Sequence, residues 1–273
     1  MNPNVSLIEI DGKKHIQIIY EDVTARIETE KKLRKSEKKY RTAYNRENFY
    51  KDVFAHDTRN ILQGMLSSLE LCKISIKKKK DTKIVEELLD ECKRQVLRGS
   101  NLVKNVKKFS ELEKSERHLM KIDLEKYLNE AIKITQAYSN EKKIDISVES
   151  ESNHQVKADE LLIDVFENIL LNAIHHNQNN HVEIMIRVSN IEENEKKMLQ
   201  IEFIDNGPGI PDFKKELIFK RSNKKINSVS GTGLGLYLVY SIIQQYDAKI
   251  RVEDKIPDDH TKGSKFILTF PYC

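Results

Sequence analysis

Apolar and polar positions alternate in twos at the start of the chain, run at helical spacing up to about residue 113, and mix the two periods thereafter. Val5 to Ile10 and His15 to Tyr20 alternate on either side of Asp11-Gly12, the pattern of a β-hairpin closed by a primed turn. A lone hairpin is marginal in water, so residues 1–26 read as the tail of a larger sheet domain. From Thr24 to about Lys78 there is no Pro, and Gly64 is the only Gly. Ile27, Leu33, Tyr40, Tyr44, Tyr50 and Phe54 recur there at loosely helical spacing, which predicts one long helix. Lys77 to Lys80 interrupt it, and Asp81 or Thr82 is placed to cap the next helix. In that helix, from about Lys83 to Glu113, the positions Val85, Leu88, Cys92, Gln95, Gly99, Leu102, Val106 and Phe109 recur at steps of three and four, as in a packed seam. Leu89, Val96 and Val103 form a second apolar row that one partner helix cannot cover. The prediction is an all-α antiparallel hairpin over residues 27–113 that dimerises into a four-helix bundle.

Residues 114–273 change character. Strand-like runs (Ile144 to Val148, Val182 to Val188, Leu199 to Ile204, Lys249 to Val252, Lys265 to Phe270) alternate with helical ones (Leu124 to Tyr138, Glu160 to His176, Leu234 to Tyr246). This predicts an α/β sandwich with helices on one face of a sheet. Composition fits a helix-rich globular chain of 273 residues: 38% hydrophobic, 33% charged, 5 Pro and 9 Gly. A net charge of +4 from 47 basic and 43 acidic side chains does not point to nucleic acid. The basic runs at Lys31 to Arg41 and Lys77 to Lys80 read as a solvated helix face and a hairpin loop. Cys72, Cys92 and Cys273 show neither a metal spacing nor a disulfide framework, which favours a reducing compartment. No apolar run reaches the roughly 18–20 residues of a membrane span, and no signal segment opens the chain. A cytoplasmic location is expected.

Three stretches carry candidate chemistry. Asn168 and Asn172 sit four apart on one side of the predicted helix Glu160–His176. Their carbonyl oxygens suit a hard cation held partly by substrate phosphates, and His175 and His176 follow within reach of phosphate oxygens. Two Asn on an amphipathic helix fit a polar surface as well. After the apolar strand Ile201 to Ile204 comes Asp205-Asn206-Gly207-Pro208-Gly209-Ile210, where a fixed carboxylate can accept from a purine amino group while glycines let the ring approach. It also reads as an ordinary turn. Third, Gly231-Thr232-Gly233-Leu234-Gly235-Leu236 leads straight into a helix, and backbone amides at such a start bind anions. It lacks the spacing of a dinucleotide fingerprint and the Lys of a P-loop.

In this order, with a polar stretch from Pro211 to Ser230 between the last two, the motifs resemble those of the GHKL ATPase superfamily and, within it, of the histidine kinases. The N box is Asn168 to Asn177, the G1 box Asp205 to Ile210, an F box Ile218-Phe219-Lys220-Arg221, and the G2 box Gly231 to Leu236. Lys262-Gly263-Ser264-Lys265-Phe266 is similar to the last glycine motif, with Ser264 where Thr is frequent. The resemblance implies an ATP site formed by Asn168, Asn172, His175, His176, Asp205, Gly207, Gly209, Ile210, Phe219, Lys224, Gly231, Thr232, Gly233, Leu234, Gly235, Leu236 and Ser264. It implies that Asp205 reads adenine, that Asn172 ligates Mg²⁺, and that residues 211–230 form a lid in which Lys224 or Lys225 touches phosphate. His175 stands where Lys is frequent, so phosphate contact there is expected to depend on pH near a pKa of about 6.5.

Val53-Phe54-Ala55-His56-Asp57-Thr58-Arg59-Asn60 resembles the H box of the same family. An imidazole attacks phosphorus only when neutral, with its second nitrogen held by an acceptor. The resemblance makes His56 the phosphoacceptor, Asp57 the base, and Asn60 the residue that orients water in the reverse, phosphatase reaction. Ile61 stands where many relatives have Pro, so no kink is expected. Tyr20 to Arg26 is similar to the exit of a PAS sensor domain. The implied organisation is a PAS-like remnant (1–26), a signalling helix and phosphotransfer hairpin (27–113), and a catalytic ATP-binding domain (114–273). The implied function is autophosphorylation of His56 from Mg-ATP within a homodimer, then transfer to an Asp of a response regulator. Two other readings stay open: a GHKL ATPase of another branch that drives conformational change, and a phosphatase-dominant signalling scaffold.

Overall fold

The computed structural model describes residues 2–10, 13–21, 24–52, 57–78, 82–114, 118–137, 142–151, 153–193, 195–219 and 234–272. The chain divides into two compact units, residues 1–63 and 64–273. In the first, β1 (Asn2–Ile10) and β2 (Lys13–Glu21) pair antiparallel, with Ile10 opposite Lys13. That register fits the predicted turn at Asp11-Gly12, which itself lies outside the described residues. Leu7 and Ile16 face each other across the ladder and are both exposed. Helix α1 (Thr24–Asp52) follows; it keeps Ile27, Leu33, Tyr40 and Tyr44 exposed, with the two tyrosine rings stacked 6.5 Å apart. The single helix expected from Thr24 to Lys78 is described as α1 and α2 (Thr58–Lys77), and α2 runs on into the second unit. Residues 53–56 between them, His56 included, lie outside the described residues.

In the second unit α2 and α3 (Thr82–Lys114) form the predicted antiparallel hairpin. Weak thiol bonds from Cys72 to the Val85 carbonyl (3.9 Å) and from Cys92 to the Met65 carbonyl (3.6 Å) mark its register. Gly64 lets α3 approach, because a Cβ there would meet the Gln95 side chain at 3.2 Å. Every position of the predicted seam, from Val85 to Phe109, is buried or half-buried. The second row is not: Leu89, Val96 and Val103 are 50%, 51% and 59% exposed.

The remainder is an α/β sandwich. Five strands lie in the order β4-β6-β7-β9-β8: β4 (Lys143–Ser150), β6 (His181–Glu193), β7 (Lys196–Asp205), β8 (Lys249–Ile256) and β9 (Asp259–Pro271). β4 and β6 run parallel and the other neighbours antiparallel. The strands alternate as their sequences do. Val182, Ile184, Ile186 and Val188 of β6, with Phe203, Phe266, Leu268 and Phe270, turn inward and are buried. On that side lie α4 (Leu124–Ala137), α5 (Leu162–His175) and α7 (Leu234–Gln245), with α5 packed against both of the others. The outer face is laced by ion pairs that cross strands: Glu149–Arg187 (3.0 Å), Arg187–Glu202 (3.5 Å) and Lys265–Glu253 (3.1 Å). Two short strands escaped the sequence reading, β3 (Met120–Asp123) and β5 (Gln155–Ala158), which pair with each other beside the main sheet.

Candidate functional site

α5 owes its position to its apolar stripe. Leu162, Val165, Phe166, Ile169, Leu170 and Ala173 are buried, and Phe166 packs on Phe203 of the sheet with ring centroids 5.7 Å apart. Burying that stripe turns Asn168 and Asn172 towards the helix flank, where both are half-buried. The Asn168 amide nitrogen donates to the Asp164 carbonyl one turn back (2.7 Å). Its oxygen is thereby aimed outward at the start of α7, so close that a Cβ on Gly235 would meet it at 2.6 Å. The first and third motifs are therefore neighbours in space, and Gly235 is small because Asn168 lies beside it.

Asp205 ends β7 and is buried, at 5% exposure. One carboxylate oxygen accepts the Gly207 N–H (2.7 Å) and the Ser264 N–H (3.2 Å), and the other accepts the Ser264 hydroxyl (2.5 Å). The turn thus grips the last glycine motif, although 59 residues separate Asp205 from Ser264 in sequence. Gly209 (φ +64°) and Gly263 (φ +122°) both hold backbone conformations that other residues rarely adopt. A Cβ at Gly209 would overlap the His260 carbonyl, and one at Gly263 would overlap the Asp205 carbonyl. Here glycine serves close backbone approach.

His175 and His176 follow the Asn pair at the end of α5. Each ring has an exposed part, yet the protein around them desolvates the imidazolium and lowers both pKa values below the usual 6.5; His176 and Lys142 push His175 further down. Near neutral pH these rings act as neutral hydrogen-bonding groups, whereas the lysine frequent at the first position would be a cation. After Ile210, α6 (Asp212–Lys215) is pinned to β8 by Lys215, which pairs with Asp212 (2.5 Å) and Asp254 (2.7 Å). Phe219 is buried edge-on against Phe266, with centroids 6.2 Å apart. Leu234 and Leu236 lie in the first turn of α7, Leu234 buried and Leu236 half-buried. Lys224, Lys225, Gly231, Thr232 and Gly233 lie outside the described residues, as does His56. Asp57 is half-buried and Asn60 exposed.

Sequence reasoning missed the groups that hold this site from the side. Lys108 and Lys104 of α3 pair with two buried carboxylates of α5, Asp164 and Glu167, the second pair at 3.5 Å. Phe109 stacks on Tyr237 of α7 at 5.4 Å, and the Gln245 amide donates to the Leu112 carbonyl (3.3 Å). The signal was present as two acidic residues, Asp164 and Glu167, in a strongly apolar helix whose other members are mostly buried.

Residues 157–273 match the family model described as histidine kinase-, DNA gyrase B-, and HSP90-like ATPase. The autoinducer 2 sensor kinase/phosphatase LuxQ of Vibrio vulnificus (strain YJ016) is 24% identical over 282 aligned positions, covering 98% of this chain and 32% of that protein. The signal transduction histidine-protein kinase/phosphatase MprB of Mycobacterium sp. (strain KMS) is 33% identical over 69 residues, covering 24% of this chain and 13% of its own. Full-length ShkA, solved in complex with AMPPNP, shares the fold over 82% of this chain and 46% of its own, with a TM-score of 0.52 at 17% identity. The chain spans about a third of the length of the first of these curated relatives. Residues 157–273 are thus similar to the histidine kinase-, DNA gyrase B-, and HSP90-like ATPases, and the relatives named here that align with the chain are sensor histidine kinases.

Proposed function

We propose that this chain phosphorylates its own His56 from Mg-ATP and passes the group to an Asp of a response regulator. The observation that carries the reading is the Asp205 carboxylate, bonded to Ser264 and Gly207 and joined to a fold that sets Asn168 against Gly235. These residues suit the nucleotide. Asp205 would accept from the adenine amino group, the glycines would admit the ring, and the Asn172 oxygen, with the triphosphate, would hold Mg²⁺. The ion would neutralise charge on the β- and γ-phosphates. Asn168, His175, His176, Lys224 and the Gly231–Leu236 loop would contact the triphosphate. Phe219 and Ile210 would support the lid and the turn.

In the transfer, a neutral imidazole nitrogen of His56 bonds to the γ-phosphorus as the bond to the β–γ bridging oxygen breaks. ADP leaves with that electron pair, and the proton on the second nitrogen passes to Asp57. Asn60 orients a water in the reverse reaction on a phosphorylated regulator. Residues 1–26 act as the end of a PAS-like sensor domain, 27–113 as the phosphotransfer hairpin and 114–273 as the catalytic domain. The exposed row Leu89, Val96 and Val103 supports a homodimeric four-helix bundle, since a lone hairpin leaves it wet. No helix among the described residues is long and apolar enough to cross a membrane; the use of ATP and a receiver partner favours the cytoplasm. The test is incubation with γ-labelled Mg-ATP. The wild-type chain is expected to take up acid-labile, base-stable label, and His56→Ala to lose it while still binding nucleotide. Undiminished labelling of His56→Ala overturns the assignment.

A further inference from the structure

Asn177 is a polar side chain only 2% exposed, directly after the two histidines at the end of α5. Its amide nitrogen donates to the Asn206 side-chain oxygen (2.7 Å), and its own oxygen accepts the Asn179 N–H (2.9 Å). Asn206 is fully engaged in turn. Its oxygen also accepts the Glu183 N–H (3.1 Å), its amide nitrogen donates to the His181 carbonyl (3.1 Å), and its backbone carbonyl accepts from the Asn179 side chain (2.7 Å). These bonds fix the orientation of both amides: flipping either would set donor against donor or acceptor against acceptor. Lys142 closes the far side by donating to the Asn177 carbonyl (2.5 Å).

Asn206 stands between Asp205 and Gly207, the two residues that shape the adenine turn. The α5 end that carries Asn177 also carries Asn172, His175 and His176. The amide pair therefore ties the purine end of the site to its phosphate end. We propose that Asn177 is a positioning residue for adenine recognition: through Asn206 it sets the Asp205 turn relative to the phosphate-contacting end of α5. This rests on the ATP reading above. A group that only stabilised the fold would weaken every ligand of the site alike, whereas a positioning group weakens the ligand that must reach both ends.

The test is Asn177→Asp in the full chain. The substitution is isosteric, keeps the acceptor for the Asn179 N–H, and places a carboxylate oxygen against the Asn206 oxygen in place of a donor. Titration calorimetry with Mg-ATP and with Mg-bound inorganic triphosphate reads the two ends separately. ATP affinity is expected to fall about tenfold, with triphosphate affinity changed less than about twofold. Equal losses for both probes, or no loss for ATP, overturn the proposal. Should Asn177→Asp not fold, Asn179→Ala removes an exposed arm of the same network; a loss of about two- to threefold for ATP alone supports the proposal, and no change overturns it. Failure of the wild-type chain to bind ATP at all would remove the nucleotide reading itself, and the positioning role with it.

Discussion

Replacing Asp205 by Asn and by Ala separates what this carboxylate does for the fold from what it does for the ligand. It accepts two backbone N–H groups and one hydroxyl, all at buried positions. An Asn side chain keeps one oxygen for the two N–H groups, and the Ser264 hydroxyl can rotate to accept from the new amide nitrogen. The folding cost is then about 1 kcal/mol, one weakened hydrogen bond. Ala strands both N–H groups, at about 1–3 kcal/mol each before relaxation. On the proposed reading adenine meets a different change, because the second N–H of the Asn amide would be a donor facing the adenine amino donor. Losing a hydrogen bond to a charged acceptor costs about 1.5–3 kcal/mol, so ATP affinity should fall roughly ten- to a hundredfold in Asp205→Asn. Calorimetry with Mg-ATP and urea unfolding of the ligand-free chains give the two numbers. Wild-type affinity in Asp205→Asn, or an Asn variant as unstable as the Ala variant, would refute the reasoning.

Gly209→Ala should destabilise by at least about 3 kcal/mol in urea unfolding, since a left-handed backbone is combined with overlap on the His260 carbonyl; a wild-type midpoint would contradict it. Lys108→Met leaves the buried Asp164 carboxylate unpaired and should cost about 2 kcal/mol. Lys104→Met removes a half-exposed lysine from the longer 3.5 Å contact to Glu167, a carboxylate that Lys108 also faces, and should cost less, about 0.5 kcal/mol; equal costs would show that the exposure of the lysine does not set the difference. The lowered pKa values of His175 and His176 carry a definite sign. The unfolded chain takes up their protons near pH 6.5 while the folded chain resists, so stability falls as pH drops below about 6.5 and levels off once the folded pKa values are passed. His175→Asn with His176→Asn should flatten the dependence of thermal midpoint on pH in that range, and an unchanged slope would exclude both rings.

Much of the architecture was legible because burial imposes a period. The seam from Val85 to Phe109 and the alternation of β6 and β7 are read directly from apolar positions, and each lies where its period put it. β3 and β5 were missed because each has only four residues, too few to establish alternation. β6 and β7 run on past their apolar stretches as a charged ribbon, with Glu192 opposite Lys197 and Glu193 opposite Lys196. There the ladder bonds hold the strands without burial, so hydropathy carries no trace of them. At the site, the three motifs could be named one by one. That Ser264 bonds Asp205, and that Lys108 reaches Asp164, depends on segments 59 and 56 residues apart, which no local pattern encodes. Two lysines on a charged helix carry no local sign of a buried partner.

The place of β9 has a consequence for synthesis. It leaves the ribosome after β7 and β8, yet it lies between them and brings Gly263 and Ser264 to Asp205. A nascent chain stalled before residue 259 has every earlier strand and helix but lacks the Ser264 partner of Asp205, and with it the complete purine site proposed above. Nucleotide retention by stalled chains should therefore begin abruptly, once the stretch from Asp259 to Pro271 has cleared the exit tunnel, and not grow gradually with length.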